Sequence, residues 1–311
     1  MLEVAQVLVR LAQYAGAAIL FGSSLFLLYG LPRAGPASPA SLRWPQILLN
    51  SGALVTVSAA ALGLLTQTSV MAGSWAEGLK PESLAFVITG TGIGQAGVFR
   101  VVAGAAALAI LLTLRPGSLV WGLVSAVGAA SCASLAWMGH GAATEGLAGR
   151  VHLVADILHS LAAAAWTGAL VAFLLLCWPR SAASAEHQRS LHGALHGFAG
   201  VGAALVGAIV ATGAVNSWFL IGPDRLDGLW TTAYGRLLLA KLGLFAVMLV
   251  VAASNRFRLT PALAHSLDGG ASTPHAALTA LRRSLILETT AAGAILVLVA
   301  WLGTLAPVSA T

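Results

Sequence analysis

The chain carries very little charge for its length. Of its 311 residues only 8% are Asp, Glu, Lys or Arg, whereas about 25% is usual for a soluble domain. Its 16 basic residues outnumber the 10 acidic ones, but they lie singly at the ends of apolar runs and form no basic patch. This distribution argues against a nucleic-acid-binding surface and is typical of the topology signals of a membrane protein.

Cysteine is also scarce, and several catalytic or cofactor motifs are absent. Cys132 and Cys177 fall at opposite ends of consecutive apolar runs, so their sulfur atoms are expected at different membrane depths. We therefore expect two free thiols. The sequence has no C-x-x-C-H haem attachment site, no nucleotide-binding loop, and no nucleophile paired with a base for hydrolysis. We expect no enzyme.

What the chain has in abundance is apolar sequence, 58% of its residues. Eight runs are long enough to cross a bilayer as helices, and none shows the alternation of a membrane barrel. The runs cover approximately residues 4–29, 47–70, 96–114, 118–138, 151–176, 194–216, 234–253 and 283–305. The sequence therefore predicts an all-α fold, a polytopic membrane helix bundle of eight transmembrane helices in contact with membrane lipid.

The loops that follow the odd-numbered runs carry most of the basic residues. Because basic loops stay on the cytoplasmic side of a membrane, we expect both termini to face the periplasm. The short Gly-rich turn that begins near His140 is expected on the same outer side.

The two halves of the chain share a pattern of residues. One constant offset lays Gly94 and Arg100 over Gly235 and Lys241. A second constant offset aligns two polar triplets: Gln6, Arg10 and Gln13 align with His152, Asp156 and His159. These registers favour two parallel four-helix units, residues 1–138 and 139–311, related by a pseudo-twofold axis along the membrane normal.

Three histidines flank the Gly-rich turn, namely His140, His152 and His159. His152, Asp156 and His159 are spaced i, i+4, i+7, which places them on one stripe of a helix. Ionisable groups in a spanning helix usually face a bundle interior or a wet cavity. Imidazoles suit copper, zinc, iron or nickel, and a thioether from Met138 would favour cuprous copper. The pattern predicts a metal site with Asp156 as a further ligand. A b-type haem or purely structural histidines remain alternatives.

Other polar residues lie near the ends of the apolar runs. Lys241 and Arg10 are placed to pair with Asp156, whereas Arg100 and Arg236 are expected to extend to the interface. Glu288 lies about one turn inside the last run, and its expected partner is Arg256 or Asn255.

Several histidines and glycines have simpler interpretations. His192 and His196 have i, i+4 spacing at the cytoplasmic end of a run and are expected to be solvated, with an exit metal site as the alternative. His265 and His275 are expected in an exposed loop.

The G-x-G-x-x-G run at 92–97 lacks a preceding strand, so it predicts a turn followed by close helix packing. A further set of glycines predicts a packing seam in the sixth run: Gly193, Gly197, Gly200 and Gly207.

Taken together, the motifs resemble the copper resistance protein D (CopD) family. They are G-H-G (139–141), H-x-x-x-D-x-x-H (152–159), W-T-G (166–168), T-G-x-x-N (212–216), T-x-Y-G-R-x-L-L-x-K (232–241), N-R-x-R-x-x-P (255–261) and the intramembrane Glu288. The block at 232–261 is the most specific. The first four runs share mainly length and hydropathy with that family.

The resemblance implies an eight-span bacterial inner-membrane protein that moves copper from periplasm to cytoplasm, often with the periplasmic copper carrier protein C. Carried over position by position, it implies copper handling at His140, His152 and His159. Two alternatives of other classes stay open. One is a b-type haem or copper redox protein that passes electrons, and the other is a copper-binding assembly factor or sensor that transports nothing.

Overall fold

Eight long helices make up most of the molecule. The computed structural model describes residues 2–32, 35, 37–139, 146–178, 184–267, 269 and 274–310. The helices are α1 (Leu2–Tyr29), α2 (Trp44–Met71), α3 (Gly92–Thr113), α4 (Ser118–Met138), α5 (Gly146–Leu176), α6 (Ala185–Ile221), α7 (Ala233–Leu267) and α8 (His275–Leu302). All eight are long and apolar enough to cross a membrane, and no strand occurs in the described ranges. The predicted all-α membrane bundle is confirmed.

The helices extend beyond the apolar runs at the end that we predict to be cytoplasmic. α6 begins at Ala185, where Ser184 caps it by accepting a hydrogen bond from the His187 backbone, and α7 continues to Leu267. The expected loop position of His265 and His275 is therefore wrong, since both lie on helices, although both are exposed. The physical reason is that hydropathy reports where a helix meets lipid, whereas helix ends depend on caps and breakers.

α1 and α5 cross at the centre of the bundle through two glycines. A methyl group at Gly168 would collide with the backbone of Gly22, and one at Gly22 would collide with the Ala164 carbonyl group. The Ser23 hydroxyl donates to the Gly168 carbonyl oxygen at 2.9 Å across the same crossing. Small residues allow this close approach in lipid, where little hydrophobic drive holds helices together.

α3 and α7 begin in the same way, although they lie in different halves of the chain. Thr91 Oγ1 accepts a hydrogen bond from the Gly94 backbone at 3.0 Å, and Thr232 Oγ1 accepts one from Gly235 at 2.9 Å. A Cβ atom at either glycine would collide with the carbonyl oxygen of the residue seven positions earlier, so neither position has room for a side chain. These contacts follow the offset seen in the sequence, and the division into two units stays a prediction.

Two expectations about small residues have opposite outcomes. Gly97 packs tightly, because a Cβ atom there would lie 2.5 Å from Leu64, as the G-x-G-x-x-G interpretation predicts. The seam expected in α6 is wrong. A Cβ atom built on any of the four glycines would meet no described neighbour within 4 Å: Gly193, Gly197, Gly200 and Gly207. Cys132 and Cys177 are both buried free thiols, as expected.

Candidate functional site

A cavity of about 440 Å³ lies between α5, α6, α7 and α8, with residues of α1 and α4 on its remaining side. It is lined by Gly139 and His152 at one end and by Trp166 and Met248 at the other. Between His152 and Trp166 the wall formed by α5 runs for about 20 Å at the helical rise. The cavity thus reaches from the first turns of α5 far into the bundle.

The polar stripe predicted on α5 lines this cavity. His152, Asp156 and His159 all lie on its wall. His152 is only 2% exposed, and its ring stacks on Phe219 of α6 with centroids 4.7 Å apart and planes 10° from parallel. The stack fixes the orientation of the imidazole at this end of the cavity.

His159 is oriented by a hydroxyl group of the neighbouring helix. Its Nδ1 lies 3.1 Å from Thr212 Oγ1, and that hydroxyl donates its own proton to the Ala208 carbonyl oxygen at 2.5 Å. Because a hydroxyl has one proton to donate, Thr212 accepts from His159 Nδ1–H. The remaining nitrogen, Nε2, is then unprotonated, which is the state in which an imidazole binds a metal ion.

Asp156 has an amide partner rather than the predicted ion pair. Asn216 Nδ2 donates to Asp156 Oδ1 at 3.5 Å, and no basic side chain in the described part of the chain lies within 4 Å of the carboxylate. Lys241 lines the same cavity and interacts electrostatically with Asp156 and with His159. The carboxylate and the ammonium group therefore share the cavity without direct contact.

Two sulfur-containing side chains line the cavity at or below the level of His159. Cys132 of α4 and Met248 of α7 are 2% and 4% exposed, and both form part of the wall. The sequence predicted Cys132 only as a free thiol and indicated no role for Met248. No local motif marks either residue, since α4 and α7 bring them to the cavity from far away in the chain.

Met138, another predicted metal ligand, is not among the residues that line this cavity. Met138 is buried against Cys132 and Leu135, and it lines a second, smaller cavity in the first half of the bundle. His140 lies outside the described residues. Within the residues that the structure describes, no three His, Cys, Asp or Glu side chains are close enough to share one metal ion.

A buried hydrogen-bond network lies at the Trp166 end of the cavity. Trp166 Nε1 donates to Glu288 Oε1 at 3.1 Å, and Asn255 Nδ2 donates to Glu288 Oε2 at 2.8 Å. The sequence predicted Arg256 or Asn255 as the partner of Glu288, and the structure shows Asn255. Trp166 is a second partner that the sequence did not indicate. Asn255 begins a π-helical segment, Asn255–Leu259, a local widening that often occurs at functional sites.

The arginines differ from one another in their surroundings. Arg236 is exposed, in agreement with the prediction that it extends to the interface. The same prediction for Arg100 is wrong, because it is 3% exposed and its Nη1 donates to the Ser134 carbonyl oxygen at 3.0 Å.

At the other end of the bundle, the His192 and His196 rings lie 6.3 Å apart on α6.

The residues that contact the α5 stripe were present in the sequence as a motif without an assigned role. In T-G-x-x-N, Thr212 and Asn216 are spaced i, i+4 and therefore face the same side of α6. Gly213 leaves room for the His159 ring, since a Cβ atom there would lie 3.4 Å from it. The i, i+4 spacing of Thr212 and Asn216, compared with the polar stripe on α5, was the signal that could have identified these two residues.

Comparison with known proteins gives matches over both halves of the chain. Residues 1–150 match the profile of the copper resistance protein D-like N-terminal domain, and residues 192–302 match that of copper resistance protein D. The first match lies in the half where the sequence motifs carried least resemblance.

Individual relatives are similar over most or part of the chain. It is 37% identical to copper resistance protein D of Pseudomonas syringae pv. tomato over 302 residues, 96% of each chain. It is 26% identical over 257 residues to the inner membrane protein YebZ of Escherichia coli (strain K12), covering 80% of this chain and 85% of YebZ. Copper transport protein CutJ of Bacillus subtilis (strain 168) is 35% identical over 123 residues, 38% of this chain and 21% of CutJ. No solved structure matches the chain.

Proposed function

Because this chain belongs to the copper resistance protein D family, we propose that it moves copper across the inner membrane, from the periplasm to the cytoplasm. The chain is a multi-pass inner-membrane protein, and in this proposal copper is its cargo. We propose no enzymatic reaction, and the work of the protein is to bind, desolvate and release an ion.

The observation that carries the proposal is that His152, Asp156 and His159 line one cavity. Along α5, His152 and His159 are separated by about 10 Å at the helical rise. We propose that they act in succession, with one copper ion held first beside His152 and Asp156 and then beside His159. This arrangement does not require all three side chains to share one coordination sphere.

Soft ligands support the inner part of this route. Thioether and thiolate groups prefer cuprous copper, and imidazole accepts copper in either oxidation state. Cys132 and Met248 line the cavity together with His159. We propose that copper leaves His159 for these sulfur atoms as it moves inward.

The outer end of the cavity is the proposed entrance. The basic loops after the odd-numbered helices support a topology with both termini in the periplasm, which places the α4–α5 connection on that side. We propose that His140 in this connection, with a periplasmic copper carrier protein C as donor, hands copper to His152. Met138 faces the second cavity and is not part of this route.

The inner end of the cavity is the proposed gate. Trp166 lines the cavity and donates to Glu288, which Asn255 also holds. The network joins three helices of the second unit, and we propose that a shift of α5 relative to α7 and α8 separates it and opens the cavity to the cytoplasm. The glycine crossing between α1 and α5 provides a contact around which such movement can occur.

Copper uptake into proteoliposomes tests the proposal. We expect uptake by the wild-type chain and its loss in a His152→Ala, His159→Ala double variant. A His265→Ala, His275→Ala variant is the matched control, because it removes two exposed histidines outside the cavity. Stoichiometric copper binding without any uptake would refute transport and favour the assembly factor or sensor.

The redox alternative is tested by an absorption spectrum of the same preparation. His152 and His159 lie on one face of one helix, whereas the two axial ligands of a haem lie on opposite sides of its ring. We therefore expect no Soret band. A strong Soret band would replace the transport proposal with that of a b-type haem protein.

A further inference from the structure

Glu288 of α8 is a carboxyl group buried among neutral partners. It is 2% exposed, and its two oxygen atoms accept hydrogen bonds from the Trp166 indole and the Asn255 amide. A glutamine at this position would also hold both neighbours, because an amide group both donates and accepts. The proposed gate therefore does not by itself require an ionisable side chain at position 288.

No positive charge accompanies this carboxyl group. In the part of the chain that the structure describes, no basic side chain lies within 4 Å of it. Arg256 of α7 is exposed and donates instead to the Ala199 carbonyl oxygen of α6. Arg282 and Arg283 precede Glu288 on α8 by about one and a half turns. A carboxylate without a counter-charge is costly in a bundle interior, whereas a protonated carboxyl group has no charge to neutralise.

Other titratable side chains on the neighbouring helices lie at a distance from the carboxyl group. Along α5, His159 and Cys177 are about two and three turns from Trp166. Along α7, Lys241 is about four turns from Asn255. The remaining ones are exposed or lie at the far end of α8: Arg258, His265 and Tyr29 are exposed, and Arg10 lies against Gly303. A cation that enters the cavity is therefore the charge best placed to act on this group.

The two partners of Glu288 suit both of its protonation states. Asn255 Nδ2 donates to a carboxylate, and after half a turn of the amide group Oδ1 accepts the proton of a carboxylic acid. Oδ1 is buried and has no hydrogen-bond partner among the described residues. Trp166 donates in either state, because the other carboxyl oxygen remains an acceptor. The network thus holds the side chain in place while a proton binds or leaves.

The carboxyl group also lies close to the inner part of the proposed copper route. Ala292 lines the cavity and follows Glu288 by four residues, so both lie on one face of α8, about one turn apart. Trp166 lines the same cavity and contacts the carboxyl group directly. Met248, a proposed sulfur ligand, precedes Asn255 by about two turns of α7. Charges at such separations interact strongly where little water screens them.

We propose that Glu288 is a proton site that exchanges its proton for copper, an inference that rests on the proposed copper route. The carboxyl group is protonated while the cavity holds no copper. When a cuprous ion reaches Met248, the O–H bond of Glu288 breaks, the carboxylate remains as the counter-charge, and the proton leaves to water at the cytoplasmic end. No electron is transferred. Return of a proton to Glu288 then favours the discharge of copper.

Infrared spectroscopy of the copper-free protein tests the protonated state without reference to transport. At neutral pH in nanodiscs, the wild-type chain should show a carboxylic acid C=O band that Glu288→Gln lacks. Glu186→Gln is the matched control, because it removes an exposed carboxyl group at the start of α6 and should keep the band. An identical acid band in the wild type and in Glu288→Gln would overturn the proposal, whatever the copper uptake of the chain.

The same band tests the exchange in the wild-type chain, so this readout does not depend on whether a variant folds. Saturating cuprous copper should remove the acid C=O band and increase the carboxylate bands. An acid band that copper leaves unchanged, with copper bound, would overturn the exchange and leave the transport proposal standing.

Proton release gives the stoichiometry of the exchange. In weakly buffered solution, the wild type should release about one proton more per bound copper ion than Glu288→Gln, and Glu186→Gln should match the wild type. Bound copper is measured on the same samples. Equal proton release from the wild type and Glu288→Gln at equal copper occupancy would overturn the exchange alone. A wild-type chain that binds no copper would refute the copper route and the exchange together.

Discussion

Replacing Thr212 by valine removes the hydroxyl that orients His159 while keeping the shape of the side chain. In the structure Thr212 Oγ1 lies 3.1 Å from His159 Nδ1, and in the proposed copper route this contact leaves Nε2 of the ring to bind the metal ion. Removing an outer hydrogen-bond partner of a metal-binding histidine typically lowers metal affinity by about 10–100-fold. This corresponds to about 1.4–2.7 kcal/mol of binding free energy. We therefore expect Thr212→Val to raise the copper Kd by that factor.

The assay is a competition titration of copper against a chelator of known affinity, with Tm measured on the same samples. Thr68→Val is the matched control, because Thr68 is also a helical threonine that donates to a carbonyl oxygen one turn earlier, that of Leu64, but lies away from both cavities. Thr212→Ser keeps the hydroxyl and should keep the affinity. Wild-type copper affinity in Thr212→Val would refute the proposed role of His159.

Three further predictions concern packing, the gate and access to the cavity. Gly168→Ala should lower stability by about 1–3 kcal/mol through overpacking, measured by thermal unfolding, whereas Gly207→Ala, with open space around it, should change stability little. Trp166→Phe should cost about 1–3 kcal/mol because Glu288 loses a buried donor, and an unchanged Tm would contradict the gate network. Bound copper should slow maleimide labelling of Cys132 in a Cys177→Ser background, and equal labelling rates with and without copper would exclude Cys132 from the route.

The number of spans and the α5 stripe could be predicted from the sequence because each depends on local physics. Lipid requires about 20 consecutive apolar residues for one helix, and the helical period places His152, Asp156 and His159 on one side. The ends of α6 and α7 could not be located in this way. Their polar extensions remain helical beyond the lipid, where hydropathy carries no signal.

Contacts between helices were harder to predict than the helices themselves. Glycine spacing predicted a seam in α6, but spacing cannot show whether a neighbouring helix is present. Met138 is two residues from His140 in the sequence, yet α4 ends in a 3-10 segment, Ser134–Met138, and the Met138 side chain lines the other cavity. The same segment places the Ser134 carbonyl group within reach of Arg100, which explains why that arginine is buried.

X-ray absorption at the copper edge tests the role of the α5 stripe most directly. With one equivalent of copper bound, a route along His152 and His159 predicts imidazole nitrogen scattering around the metal. That signal should be lost in the His152→Ala, His159→Ala double variant and kept in the His265→Ala, His275→Ala control. Imidazole scattering that persists unchanged in the double variant would show that copper binds elsewhere in the chain.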